Sequence, residues 1–277
     1  MAEQRRRWDA SAVGLEKWLP VIQSGSQIVT DKMIRLAGIK PGDHVLDIAT
    51  GTGDPAIDVA RIVQSKGHVI AIDYSQQRLA IARRRAKEQG VEKIISFVES
   101  DIENIDLSSS KFDAILSRWG LMFFPHLNEL LVRIHNALLP DAGVFVAAIW
   151  SALEKVPFMQ IPLSVLDKLG LPLLSSAVDP FRLSDVSELS KMFLKAGFQE
   201  ATIEGVSVVY EFDSAEKFID FAYETSSSLR SRIAAAYPDR EDQVEIRKAI
   251  LEEAKTHLDS KNRLHLVNET LLVAGRR

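Results

Sequence analysis

The sequence predicts an α/β fold: a doubly wound, mostly parallel sheet with helices on both faces. Two observations carry this. From residue 43 onward, short β-rich runs alternate with amphipathic helical runs joined by short links, the pattern of a parallel sheet covered on both sides. The first strand candidate, 44–49 (HVLDIA), then breaks into Gly51-Thr52-Gly53 before helical spacing resumes, so a glycine turn follows the carboxyl end of a strand.

The elements follow in order. Residues 54–66 repeat apolar side chains at i, i+3, i+4 and i+7, an amphipathic helix that Gly67 closes. The next strand is 68–73 (HVIAID), and a helix spans 75–90 with Ser75 as N-cap and Gly90 as stop. Further strands are expected at 94–100, 112–118 and 143–150, with a helix at 127–140 between the last two. A helix at 184–197 and strands at 201–212 and 264–275 bring the sheet to seven strands. Two stretches interrupt the alternation. Residues 151–181 hold Pro157, Pro162, Pro172 and Pro180 in a Leu-rich run, too long for a simple connection and read as a partly helical insertion. Residues 214–258 are helical and charged, a second insertion.

The composition excludes several chemistries. Among 277 residues there is no cysteine, which removes disulfides, thiolate metal sites and cysteine nucleophiles, and fits a reducing compartment. The net charge of −4 provides no global basic field, so a nucleic-acid partner is not expected. Arg83-Arg84-Arg85 lies in a helical pattern and reads as a solvated face. No apolar stretch reaches the roughly 18 residues of a membrane span. The N-terminus is charged without an apolar core, unlike a secretory signal. The expected location is cytoplasmic.

The glycine loop admits three readings. A tight turn could simply use glycine. A dinucleotide oxidoreductase is open, because GTGDPA satisfies Gly-x-Gly-x-x-Ala and Asp73 lies twenty residues beyond Gly53, placed to accept ribose hydroxyls. Against it stand Asp47, Asp54 and Asp58, three carboxylates where a pyrophosphate would sit. S-adenosylmethionine reverses that objection. It carries a ribose and adenine with no phosphate, and its sulfonium and ammonium are cations.

VLDIATGTG resembles motif I of the class I S-adenosylmethionine-dependent methyltransferases, and the later stretches IAIDYS, VESDIENIDLSSSKFDAILSRWGLMFFPH and LLPDAGVFVAAIW follow that superfamily's later motifs. It is most similar to the small-molecule branch that contains the ubiquinone/menaquinone C-methyltransferases. The resemblance implies a Rossmann-like methyltransferase sheet with an antiparallel last strand. It also implies S-adenosylmethionine as donor, with S-adenosylhomocysteine as product. Ala49, Gly51 and Gly53 would lie against the methionine part, with Asp47 on its ammonium and Asp73 on the ribose diol. Tyr74 and Ser75 would flank the ribose and adenine, Asp101 would accept from the adenine amino group, and Ile102 would cover the ring. Ser117 would face the methyl donor.

Other roles stay open on the residues alone. Asp101 could cap its own turn. Arg118, Trp119 and Phe123 could wall an acceptor pocket or belong to the core. Trp8 and Trp18, on an N-terminal helical cap spanning 1–30, could close over the donor or simply anchor a surface helix. His126 is the candidate base for an acceptor that carries a proton, and could equally cap the helix that follows. His44, His68, His135 and His265 do not cluster, and no metal is expected. The expected domain plan is the 1–30 cap followed by a methyltransferase domain, 31–277, with both insertions forming a lid. The insertions suggest a small apolar or aromatic acceptor, or alternatively a homodimer interface. The competing functions are an NAD(P)-dependent oxidoreductase and a non-catalytic S-adenosylmethionine-binding protein.

Overall fold

A computed structural model describes residues 2–171 and 179–277. The elements are α1 (Ala2–Lys17), α2 (Leu19–Ala37), β1 (His44–Ile48), α3 (Ala56–Val63), β2 (His68–Asp73), α4 (Gln76–Glu88), β3 (Ile95–Glu99), β4 (Ala114–Arg118), α5 (Leu127–Ala137), β5 (Val144–Trp150), α6 (Pro157–Lys168), α7 (Val186–Lys195), β6 (Glu200–Phe212), α8 (Ala215–Thr225), α9 (Ser227–Ala236), α10 (Arg240–Lys255) and β7 (Leu264–Arg276). The strands form one seven-stranded sheet in the order β3-β2-β1-β4-β5-β7-β6. β1 to β5 pair in parallel and β7 runs antiparallel to β5, as the resemblance implied. Because β1 connects outward to β2 on one side and β4 lies on its other side, the winding reverses between β1 and β4. That is the place where an open α/β sheet leaves a crevice at its carboxyl ends.

The chain divides into two compact units: Gln27–Ser151, Asp179–Val206 and Thr270–Arg277 form one, and Met1–Ser26, Ala152–Val178 and Ser207–Glu269 the other. In the first, β1, β4 and β5 are near-continuous apolar runs because helices cover both faces. Val45, Leu46, Ile48, Ile115, Leu116 and Val146 are fully sealed from solvent. The helices bury their apolar stripes against this layer. In α4 the stripe starts at Leu79, one turn after Ser75, whose hydroxyl accepts from the Arg78 amide as an N-cap.

The second unit joins the N-terminal helix to residues of both expected insertions. Its centre is aromatic. Trp18 packs edge-on against Phe212 and Phe221, and Phe158 packs edge-on against Tyr210. Glu224 ties α1 to α8, accepting from the Trp18 indole at 2.6 Å and from Lys17 at 2.7 Å. Gly14 permits the close approach, since a Cβ there would fall on the Glu224 carbonyl. Within the expected 151–181 insertion, α6 is described. Pro172 lies with the rest of 172–178 outside the described residues. No helix among the described residues is long and apolar enough to cross a membrane.

Candidate donor site

The first unit gathers the expected donor residues at the carboxyl ends of β1 and β2. β1 ends at Ile48, and the chain turns at once through left-handed backbone at Ala49 (φ 60°), Gly51 (φ 57°) and Gly53 (φ 105°). Only glycine takes such angles freely. The turn is fastened by its own amides: Thr50 donates to the Ile72 carbonyl at 3.0 Å and Gly53 to the Thr50 carbonyl at 2.9 Å. Asp73, the last residue of β2, binds this loop to the next: its Oδ2 accepts from the Gly51 amide and its Oδ1 from the Ser75 amide, both at 2.8 Å. Burial raises the Asp73 pKa, with Arg78 and those amides acting in the opposite direction. Its carboxylate retains lone pairs beyond the two bonds, the feature a ribose diol needs.

Asp47 is fully buried. Its Oδ2 accepts from the Ala56 amide at the start of α3 at 3.1 Å, whereas its Oδ1 has no hydrogen-bond partner. Burial pushes its pKa up to about 7, opposed first by the neighbouring Thr50 hydroxyl and then by the charge of Arg118. Two further buried oxygens lack partners, Thr50 Oγ1 and Ser117 Oγ. Gly120 adjoins them: a Cβ there would stand 2.6 Å from the Ala49 Cβ and 2.7 Å from Ser117 Oγ. Three unsatisfied buried oxygens, all on or just after β1 and β4, form the unusual feature of this sheet. Native interiors leave few such groups without a reason. A cationic ligand that also brings hydroxyl and amine donors fits them.

Asp54 does not play the part its position suggested. It is buried and grips Arg85 through two hydrogen bonds, Oδ2 to Nη1 at 2.7 Å and Oδ1 to Nη2 at 3.0 Å, with Arg118 3.7 Å away. Asp58 pairs with Arg61 at 2.9 Å. The excess of negative charge read at the helix start is therefore neutralised, and Asp47 and Asp73 remain as the candidate donor-binding acids beside the glycine loop. Arg85 corrects a second reading. Arg83 and Arg84 do face solvent, but Arg85 is buried, because a carboxylate sealed behind the glycine loop requires a counter-charge.

The other expected residues fall as follows. Asp101 caps the turn Ile102–Asn104, accepting from the Glu103 amide at 3.0 Å and the Asn104 side chain at 3.2 Å, and Ile102 is buried beside it. Tyr74 is half-buried. Ser75 is fully buried with its hydroxyl engaged in the α4 cap. Trp119 has left-handed backbone (φ 57°), rare for a bulky residue. It is held by stacking on Trp150 at 4.5 Å, by its indole N–H to Thr270 at 3.0 Å, and by the Arg118 guanidinium 5.1 Å from its ring centroid. Arg118 also donates to Thr30 of α2 at 2.8 Å. Phe123 is half-buried on the turn Leu121–Phe123. His126 is exposed at the N-cap of α5. Its side chain makes no cap hydrogen bond, and its amide donates to Glu103 at 2.8 Å. Trp8 is half-buried on α1 in the other unit. Among the described residues no group of three or more His, Asp or Glu side chains is arranged to hold a metal.

Sequence reasoning missed three arginines that hold the loops. Arg85 donates to the Thr52 carbonyl, Arg133 of α5 to the carbonyls of Ile102, Glu103 and Ile105, and Arg182 to those of Met122 and Phe124. Thr50 was missed as well, although it lies between two residues assigned to the donor.

Comparison with known proteins decides what this crevice belongs to. A family model described as a methyltransferase domain matches residues 39–179, about half of the chain. The chain belongs to this methyltransferase family. It is a class I S-adenosylmethionine-dependent methyltransferase, and the NAD(P)-dependent reading falls away. The methyltransferase is 29% identical over 199 residues to a 2-phytyl-1,4-naphtoquinone methyltransferase of Nostoc sp., covering 68% of this chain and 85% of that protein. It is 34% identical over 113 residues to a ubiquinone/menaquinone biosynthesis C-methyltransferase of Pseudomonas entomophila, covering 41% of this chain and 44% of that protein. Its fold matches the YcgJ protein of Bacillus subtilis with a TM-score of 0.59 at 20% identity, covering 90% of this chain and 98% of that one.

Proposed function

We propose that this methyltransferase acts on a small, largely apolar aromatic acceptor of the quinol or phenol kind, without a metal ion. The observation that carries the acceptor class is its similarity to a phytyl-naphthoquinone methyltransferase along 85% of that relative's length. The chain's own residues would bind the donor as the geometry allows: Asp47 and the hydroxyls of Thr50 and Ser117 on the methionine end, Asp73 on the ribose, Asp101 and Ile102 on the adenine. S-adenosylmethionine supplies a methyl group already activated on a sulfonium, so the protein contributes chiefly orientation and exclusion of water. His126 is the proposed base where the acceptor carries a proton. Arg118, Trp119 and Phe123, at and just after the end of β4 in the unit that holds the donor residues, are proposed to wall the acceptor pocket.

The test is transfer of labelled methyl from S-adenosylmethionine to a panel of reduced naphthoquinones, benzoquinols, simple phenols and polar amines. Transfer to the quinols or phenols with matching release of S-adenosylhomocysteine is expected. Transfer confined to polar amines would overturn the acceptor class. Retention of activity after exhaustive chelation is the expected outcome for the metal-free reading.

A further inference from the structure

Arg85 closes a run of three arginines, yet its side chain is buried behind the glycine loop. Its guanidinium reaches both sides of Gly53: Nη1 donates to the Thr52 carbonyl and to Asp54 Oδ2, and Nη2 donates to Asp54 Oδ1. Gly53 itself is left-handed, with its Cα side against Ile57 and Ala82, where an added Cβ would stand 2.8 Å from the Ile57 side chain. A buried ion pair is a poor source of net stability, since removing two charges from water offsets most of their attraction. Apolar side chains of similar volume could support the fold as well. They could not grip a carbonyl and a carboxylate on either side of one glycine. Such a grip matters for binding. A glycine-rich turn samples many conformations, and each one other than the binding form lowers affinity for the donor.

We propose that Arg85 is a positioning residue for S-adenosylmethionine. By fixing Thr52 and Asp54 it holds the Gly51–Asp54 turn in its donor-binding form, and so sets donor affinity through the loop. Arg118, 3.7 Å from Asp54, supplies charge to the same carboxylate.

The test titrates S-adenosylhomocysteine into the full chain by calorimetry and records the unfolding midpoint of each variant. Arg85→Met alone leaves a buried carboxylate undercompensated and loses stability and affinity together. The informative variant is Arg85→Met combined with Asp54→Leu, which removes both charges. It should recover most of the lost midpoint, while the Kd for S-adenosylhomocysteine stays raised by roughly tenfold or more. Arg85→Lys keeps the charge without the two-armed grip and should fall between. A double variant with restored midpoint and a Kd within about twofold of the unaltered protein would show a purely structural pair and overturn the proposal. So would an Arg85→Lys variant that binds as well as arginine, a result that decides the matter even if the double variant does not fold. An unaltered protein that fails to bind S-adenosylhomocysteine overturns the donor assignment itself, and is seen before any variant is made.

Discussion

The carboxylate of Asp73 accepts from the Gly51 amide at 2.8 Å, so the end of β2 and the glycine loop after β1 are held as one unit. Its other oxygen accepts from the Ser75 amide, and both oxygens are therefore committed as acceptors. In Asp73→Asn the amide nitrogen must face one of two N–H groups. That mismatch should cost about 1–3 kcal/mol and reduce S-adenosylmethionine affinity at least tenfold, roughly the loss of a charged hydrogen bond to the ribose. Chemical denaturation and calorimetric titration of the same variant check both outcomes.

Gly120 has no conformational need to be glycine, since its φ is −103°. Its requirement is space, because a Cβ would meet Ala49 and Ser117 at under 3 Å. Gly120→Ala should push the segments after β1 and β4 apart, costing about 1–3 kcal/mol as overpacking does. Donor binding should weaken with it. An unchanged melting temperature and unchanged titration would show that the two segments yield freely.

Asp47 makes donor binding dependent on pH. Burial holds its pKa at about 7, so near neutrality a substantial share of unliganded molecules carries the proton. An ammonium brought to Oδ1 favours the carboxylate, so affinity should rise between about pH 6 and about pH 8, with a proton released on binding. The effect on unliganded stability has the opposite sense. The folded state keeps a proton that an unfolded aspartate, with a pKa of about 3.9, gives up. The stabilisation is therefore full below about pH 4 and is lost as pH rises through about 7. Calorimetry in two buffers of different ionisation heat counts the proton. Asp47→Asn should remove both dependences.

Trp18, just after α1, meets α8 through a hydrogen bond to Glu224 and an edge-on contact with Phe221, and meets β6 through an edge-on contact with Phe212. Trp18→Ala should destabilise the helical unit by about 3–5 kcal/mol, the usual loss for a large buried aromatic. Trp18→Phe should lose less, keeping the ring contacts while leaving Glu224 to Lys17 alone. Urea denaturation ranks the two. Equal losses would mean that the indole hydrogen bond carries the joint.

Much of the fold was readable because its signals are local. Strand runs, the Gly51 and Gly53 break and the Ser75 cap each depend on a few adjacent residues, and they reappear with boundaries shifted by at most three positions. What escaped depends on long-range burial. Nothing in the run Arg83-Arg84-Arg85 marks its last member as the partner of Asp54, thirty-one positions earlier. One signal was available: Leu79, Ala82 and Ala86 form the buried stripe of α4, and Arg85 falls on that stripe at helical spacing. A charge placed on an apolar stripe calls for a buried partner. Trp119 escaped for a different reason, because left-handed backbone at a tryptophan is set by its stack on Trp150 and has no sequence signature.

That stack gives the protein an optical label of its own. The chain has four tryptophans, and two of them, Trp119 and Trp150, lie nearly parallel with ring centres 4.5 Å apart at the ends of neighbouring strands. Transitions of indoles so close mix with one another and report small changes of angle in near-ultraviolet circular dichroism. Trp119 follows Ser117 by two residues, so occupation of the donor crevice should register in this signal, allowing binding to be followed without dye, radioactivity or a known acceptor.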